Sequence, residues 1–284
     1  MTRDEQRRKA EAFLALHNKP AIFVLANAWD VSSAKIFEIE GFKAIGTTSA
    51  GIAATLGYPD GQRMSLDETT EVVRRIVEHI DLPVSADIEA GYADSIEGIV
   101  ESALRILNVG AVGINLEDGT GDPSQPLCDV TFQVEKIRAI REMAVSENIH
   151  LVVNARTDVY LVSDGDSKTS FRDAVERGNV YREAGADCIF VPDVGDLDKK
   201  TIARLVNEID APVNIIAGTH TPPLAELEEI GVSRVSLGPR PMRAALAFIR
   251  KIAQELRNSG TYALMTADAL SYAEVNDWFE KDAP

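Results

Sequence analysis

Eight short apolar runs, spaced along most of the chain, constrain its fold more than any other feature. They fall at residues 22–26, 44–47, 84–86, 112–116, 151–154, 188–191, 213–216 and 234–237, with helix-patterned segments between them. Runs that are continuously apolar rather than alternating suit strands buried on both faces, as in parallel sheets. Several are entered through a glycine (Gly41, Gly110, Gly185, Gly231) or through Pro-Val (Pro83, Pro212). A glycine there is the left-handed residue that closes a helix before the chain re-enters the sheet. Helix starts are legible too: Ser65 with Glu68 spells a capping box, and Asp129 and Asp198 precede further helices.

Eight β-α units in 284 residues point to one TIM (β/α)8 barrel, a fold of roughly 250 residues. No GxGxxG follows the first run, which weakens the doubly wound dinucleotide-binding alternative. The expected organisation is a single barrel domain over 1–284. Residues 1–20 hold an N-terminal amphipathic helix, and 258–284 form a tail with additional C-terminal helices. That tail is too apolar for a disordered segment, and it suits packing on a partner subunit or back on the barrel.

Lys plus Arg number 29 and Asp plus Glu 45, a net charge of −16, so the surface should repel nucleic acid and anionic membranes. The two cysteines, Cys128 and Cys188, make neither a disulfide framework nor a metal-spaced cluster. With no apolar leader and no 18-residue apolar stretch, a cytoplasmic location is expected.

In such a barrel the chemistry sits at the C-terminal ends of the strands. Those ends carry Trp29 and Asp30, Thr47-Thr48-Ser49, Asp87 with Glu89, Glu117-Asp118, Arg156 with Asp158, Asp193 and Asn214. An ionised carboxylate leaving water costs several kcal/mol unless it is paired or metal-bound. The strand end VSADIEAGY, with Asp87 and Glu89, therefore reads as the floor of a divalent-metal site. Hard oxygen donors of this kind suit Mg2+ or Mn2+, and the absence of histidine there argues against zinc. Taken singly, a strand-end acid is more often a helix cap or an ion-pair partner than a ligand, and Trp29 reads as wall rather than catalyst. Taken together, acids on three or more strand ends plus an arginine on the fifth are hard to place on a surface.

The segments NAWDVSSAKIFEIEGFKAIGTTSAGIAATLGYPD, SADIEAGY, GINLED, NARTD, FVPD and PVNI, in this order, resemble the isocitrate lyase / phosphoenolpyruvate mutase superfamily. The resemblance implies a Mg2+-dependent barrel acting on a small 2-oxo acid or its enol. By motif match, Thr47, Thr48 and Ser49 would hold the substrate's carboxylate or keto oxygen, with Asp60 at the far end of that loop. Asp87 and Glu117 would hold the metal and its waters, Glu89 being a third candidate. Arg156 would bind the substrate, with Asp193 and Asn214 lining the pocket opposite and Trp29 beside it. The catalytic set implied is Arg156, Asp60 and Glu117. The family's exchange of a C-terminal helix between subunits implies a homo-oligomer, a dimer or tetramer.

Two departures stand out. Ser85 occupies the position of the first Asp in the family's Asp-Ala-Asp strand, and the following turn has an extra residue. The loop GTGDPSQPLCDV is shorter than the lyases' Lys-x-Cys-Gly-His gating loop, and its Cys128 stands against Asp129. The reading that needs least from that loop is cleavage of a C–C bond next to the carbonyl of a small 2-oxo acid. Oxaloacetate-type decarboxylation or a carboxylic-acid lyase reaction, through a metal- and Arg-stabilised enolate, are the forms it takes. The alternatives are a phosphonopyruvate hydrolase or mutase acting on a P–C bond, and a barrel that binds a 2-oxo acid with little turnover. A Schiff-base aldolase would need a lysine at a strand's C-terminal end, whereas Lys43 precedes its strand.

Overall fold

The computed structural model describes residues 1–18, 21–162, 167–193 and 197–280. Its eight strands close into a barrel in sequence order, every neighbouring pair parallel. They are β1 (Phe23–Ala28), β2 (Ile45–Thr47), β3 (Val84–Asp87), β4 (Gly113–Glu117), β5 (Val152–Arg156), β6 (Cys188–Val191), β7 (Val213–Ile216) and β8 (Arg234–Ser236). Each apolar run contains one strand. The strands on β1, β3, β4 and β5 run one or two residues past the apolar stretch, so that Asp87, Glu117 and Arg156 are last strand residues rather than loop residues. This is the TIM-barrel fold expected from the runs.

Helices α1 (Arg3–His17) to α10 fill the connections: α2 (Val31–Ile39), α3 (Ser49–Leu56), α4 (Leu66–His79), α5 (Ile96–Asn108), α6 (Val130–Ser146), α7 (Val159–Val162), α8 (Ser167–Glu183), α9 (Lys199–Glu208) and α10 (Leu224–Glu229). The re-entry glycines Gly41, Gly110, Gly185 and Gly231 all have positive φ, as their place after a helix requires. Ser65 and Glu68 form the reciprocal capping box of α4, and Asp198 accepts from Thr201 N at the start of α9. Asp129 occupies the cap position of α6 but makes no capping bond, its side chain being exposed to water instead.

Helix α1 closes the N-terminal end of the barrel. Gln6 donates to the carbonyls of Leu107 and Ala111, and the rings of Phe13, His17 and Phe23 stack edge to face. Gly113 opens β4 because Phe13 needs the space: a Cβ there would sit 2.7 Å from the ring. Phe13 is fully buried. Phe13→Ala is therefore expected to destabilise the fold by about 3–5 kcal/mol in denaturant unfolding while leaving the site at the other end of the barrel intact. Equal unfolding midpoints for the two proteins would contradict the plug.

Beyond the barrel the tail is helical: α11 (Arg240–Ser259), α12 (Ala263–Thr266) and α13 (Tyr272–Asp277). It exposes Leu246, Phe248 and Ile249 on α11 and Tyr262 and Tyr272 beyond it, while Phe279 stacks on His79. Among the described residues no helix is long and apolar enough to cross a membrane.

Candidate active site

Strand pairing decides which side chains meet at the barrel mouth. Register sets Asp87 of β3 beside Asn115 of β4, and Glu117 of β4 beside Arg156 of β5. Asn27, near the end of β1, donates to Thr47 O and accepts from Leu237 N and Gly238 N, which ties the first strand end to its neighbours. A cavity of about 190 Å3 opens above these strand ends. Thr47, Thr48, Ser49, Asp60, Asp87, Arg156 and Asp193 all line it. That volume is below the roughly 300–1,000 Å3 of drug-sized pockets and suits a small acid.

Asp87 is held in a fixed orientation. Its Oδ2 accepts from Ser49 N at 3.0 Å and its Oδ1 from Asn115 Nδ2 at 3.0 Å. Its own amide donates to Thr47 Oγ1 at 2.8 Å. Thr48 is the N-cap of α3, accepting from Gly51 N, so the predicted substrate loop is also a helix start whose dipole favours anions.

Arg156 is clamped on both sides. Its Nη1 lies 2.7 Å from Glu117 Oε2, and Nε and Nη2 grip Asp158 at 2.5 and 3.0 Å. Asp158 is anchored in turn, its amide donating to Asp118 Oδ1, while Asp118 Oδ2 accepts from Arg177 and Tyr181. Asp118 is thus the ion-pair partner of Arg177 and Asp158 that of Arg156, and Asp30 caps α2. Burial, partly countered by Arg156, raises Glu117 well above the ordinary carboxylate range. Burial opposes the charge on Arg156, but Glu117 and Asp158 outweigh it and hold its proton more firmly than usual.

Glu89 departs furthest from a simple strand-end ligand. It sits at φ 50°, and Gln62 (φ 53°) and Tyr92 (φ 58°) are left-handed as well. Such backbone is uncommon for residues other than glycine and persists only where surroundings fix it. Here the fixing is mutual: Gln62 N donates to Glu89 Oε2 at 2.7 Å, Tyr92 N to Gln62 Oε1 at 2.7 Å, and Tyr92 OH to Glu89 Oε1 at 3.2 Å. Burial first, then the charge of Asp87, pushes the Glu89 carboxyl up to about 7. Asp60, at the rim, is raised by partial burial and by Asp87.

A raised carboxyl favours the fold when protonated. The metal-free protein should therefore lose stability as pH rises from about 4.5, the unfolded value, through about 7. Thermal melts across that range should show the loss, and Glu89→Gln should flatten it. An unchanged slope in the variant would refute the assignment.

Among the described residues no three His, Cys, Asp or Glu side chains stand together at metal-holding spacing. Of the predicted trio, Glu89 turns to Gln62 and Tyr92, Glu117 to Arg156, and Asp87 remains on the cavity wall. The donor chemistry still fits Mg2+, which uses one or two carboxylates and completes its shell with waters and substrate oxygens. Burial first, and the charge of Asp87 with it, makes Asp60, Glu89 and Glu117 all hold their protons more firmly than usual, Glu117 in spite of Arg156 beside it.

Trp29 is set back from the cavity and packs on Ile52 and Met64. Asn214 lies below the cavity wall, fully buried, with both amide atoms lacking a hydrogen-bond partner among the described residues. Cys128 faces a separate cavity of about 480 Å3 between the β3 and β4 loops, together with Lys136, and burial raises its thiol. Residues that the strand-end reading missed are Asn115, Gln62 and Tyr92, which hold the carboxylates, and Arg234 and Ser236 in the cavity floor.

Comparison with known proteins agrees with the barrel fold. The family model described as phosphoenolpyruvate phosphomutase matches residues 13–257. An uncharacterised protein of Mycobacterium tuberculosis H37Rv is 35% identical over 267 residues, covering 92% of this chain and 97% of the relative. The 2-methylisocitrate lyase of Salmonella typhimurium is 27% identical over 261 residues, 88% of this chain and 85% of that enzyme. A solved candidate lyase/mutase of Burkholderia cenocepacia superposes with a TM-score of 0.90 at 36% identity, covering 99% of this chain and 98% of the other. The barrel, the acid-and-arginine mouth and these matches together make the chain a member of the phosphoenolpyruvate mutase family, within the PEP mutase/isocitrate lyase superfamily.

Proposed function

We propose that this protein is a Mg2+-dependent lyase that cleaves a C–C bond adjacent to the carbonyl of a small 2-oxo acid. The observation that carries the reading is the convergence of Asp60, Asp87, Arg156 and Asp193 on one small cavity beside the N-terminus of α3. Asp87 would hold the metal, with Glu117 and Glu89 reaching it through its waters. When bound, the ion supplies Lewis-acid stabilisation of charge developing on the carbonyl oxygen.

The remaining work falls to the chain's own groups. The α3 start and Thr48 orient the substrate's carboxylate. Arg156, immobilised by Glu117 and Asp158, presents a fixed positive charge toward the oxygen that gains electrons as the C–C bond breaks, and needs no reorganisation at that moment. Asp60 at the rim, its proton held more firmly than usual, serves as the acid–base group. No lysine lines the cavity among the described residues, so borohydride should trap no adduct with pyruvate.

Product analysis by NMR tests the reading, with oxaloacetate-type acids in one arm and phosphonopyruvate in the other. Carbon-chain cleavage with no phosphate release is expected. Phosphate release from phosphonopyruvate alone would favour P–C chemistry instead. The latter has a relative of its own, since the phosphonopyruvate hydrolase of Variovorax is 25% identical over 278 residues.

A further inference from the structure

Among the described residues, the barrel interior holds a cation that the chemistry above leaves unused. Arg234 opens β8, is 3% exposed, and lines the floor of the same cavity with Ser85 and Ser236. Its Nε and Nη1 have no hydrogen-bond partner, and no carboxylate of the described residues pairs with it. Arg156 differs sharply, being ion-paired on both sides, by Glu117 and Asp158.

The groups packed around Arg234 do not supply a counter-charge. Below it His17 is neutral, burial holding its imidazole down to about 3. Beside it the Cys188 thiol is pushed up to about 12 by burial and is neutral as well. Attraction comes from the Cys188 sulfur, once ionised, and then from Asp87, whose carboxylate is already engaged with Ser49 and Asn115. Burial brings Arg234 down only to about 10, so it stays a cation at neutral pH. Nearby, Ser236 Oγ and both amide atoms of Asn214 are buried with no partner among the described residues. A buried guanidinium without an anion is among the most costly arrangements in a protein interior, and Arg234 with the Ser236 hydroxyl beside it on the cavity floor calls for an acceptor.

We infer that Arg234, with Ser236 beside it, is the receptor for a second acid group of the substrate, so that the site selects a 2-oxo dicarboxylate over a 2-oxo monoacid. The inference rests on the cavity being a 2-oxo-acid site. It adds where the distal carboxylate goes: down the barrel axis, into the space left by the small residues Gly46, Ser85 and Ser236. Charge explains the selectivity. A dianion meets a bare guanidinium, whereas pyruvate leaves that guanidinium buried and unpaired.

The test is calorimetric binding of pyruvate and of 2-oxoglutarate to the whole protein in saturating Mg2+, with Arg234→Met and Arg234→Lys alongside. The wild type should bind the diacid at least about tenfold more tightly than pyruvate. Arg234→Met should bring that ratio to about one while leaving pyruvate affinity nearly unchanged, and Arg234→Lys should keep part of it. Arg234→Met should also melt no lower than the wild type, because it removes an unpaired buried charge. A structural arginine solvated by buried water would instead leave the ratio intact in the variant and lower its melting temperature. Equal wild-type affinities for both acids would overturn the inference even if the variants do not fold. Absence of binding by either acid would overturn the 2-oxo-acid reading itself, and the Arg234 assignment with it.

Discussion

Arg156→Met is expected to abolish turnover and to destabilise the protein by about 3–5 kcal/mol, because it strands two buried carboxylates at once. Glu117 Oε2 is 2.7 Å from the guanidinium and Asp158 is gripped by two of its nitrogens. Removing the cation leaves both acids to protonate or to repel each other. Arg156→Lys separates the two effects. Lysine keeps the charge but cannot span Glu117 and Asp158 with one planar fork. The fold should survive with a modest loss in melting temperature, while kcat/KM falls about 100- to 1,000-fold, the range for losing one fixed donor aimed at a developing oxyanion. Unfolding midpoints and steady-state rates on the same preparations separate these predictions. Wild-type rates in the lysine variant would mean that Arg156 only braces the barrel.

Asp87→Asn carries the second large effect. Both oxygens of Asp87 accept, one from Ser49 N and one from Asn115 Nδ2. An asparagine satisfies one of these donors and points its own NH2 at the other. It also removes the charge that faces the cavity. Mg2+ affinity should fall at least about tenfold and kcat/KM on the order of 1,000-fold, from loss of a hard anionic ligand. Titrating activity against Mg2+ separates the two numbers. Unchanged half-saturation by Mg2+ would move the ion away from Asp87, toward Glu117 or Glu89.

The eight strands were legible because strands buried on both faces must be continuously apolar, a pattern no amphipathic helix shares. Asp87, Glu117 and Arg156 were legible because ionisable side chains at the ends of such runs are anomalous wherever they occur. What escaped lies in two places. Asn115 falls inside an apolar run, and only the strand's alternation reveals that it points inward, where Asn154 Nδ2 donates to its Oδ1. Arg234 looked like the polar entry to a strand, at the end of the barrel remote from catalysis. Its long side chain rises through the interior instead.

Gln62 and Tyr92 could not be read as partners of Glu89, since their bonds depend on three left-handed residues facing one another across nearly thirty positions. That turn also answers the question raised by the extra residue after β3. It turns the Glu89 carboxylate onto Gln62 N and Tyr92 OH, with Asp87 still near enough for its charge to raise that carboxyl. The resemblance could supply a list of ligands, but this local backbone decides which of them face the cavity.

The central claim is that carboxylates and Arg156 at this mouth serve a Mg2+-dependent cleavage beside a carbonyl. The most direct measurement is the rate of oxaloacetate-type carbon-chain cleavage by protein stripped with EDTA, then titrated with Mg2+. The account predicts loss of the enzymatic rate on stripping, full recovery with Mg2+, and no recovery in Asp87→Asn at the same concentration. A rate indifferent to EDTA, or equally restored in the Asp87 variant, would contradict it.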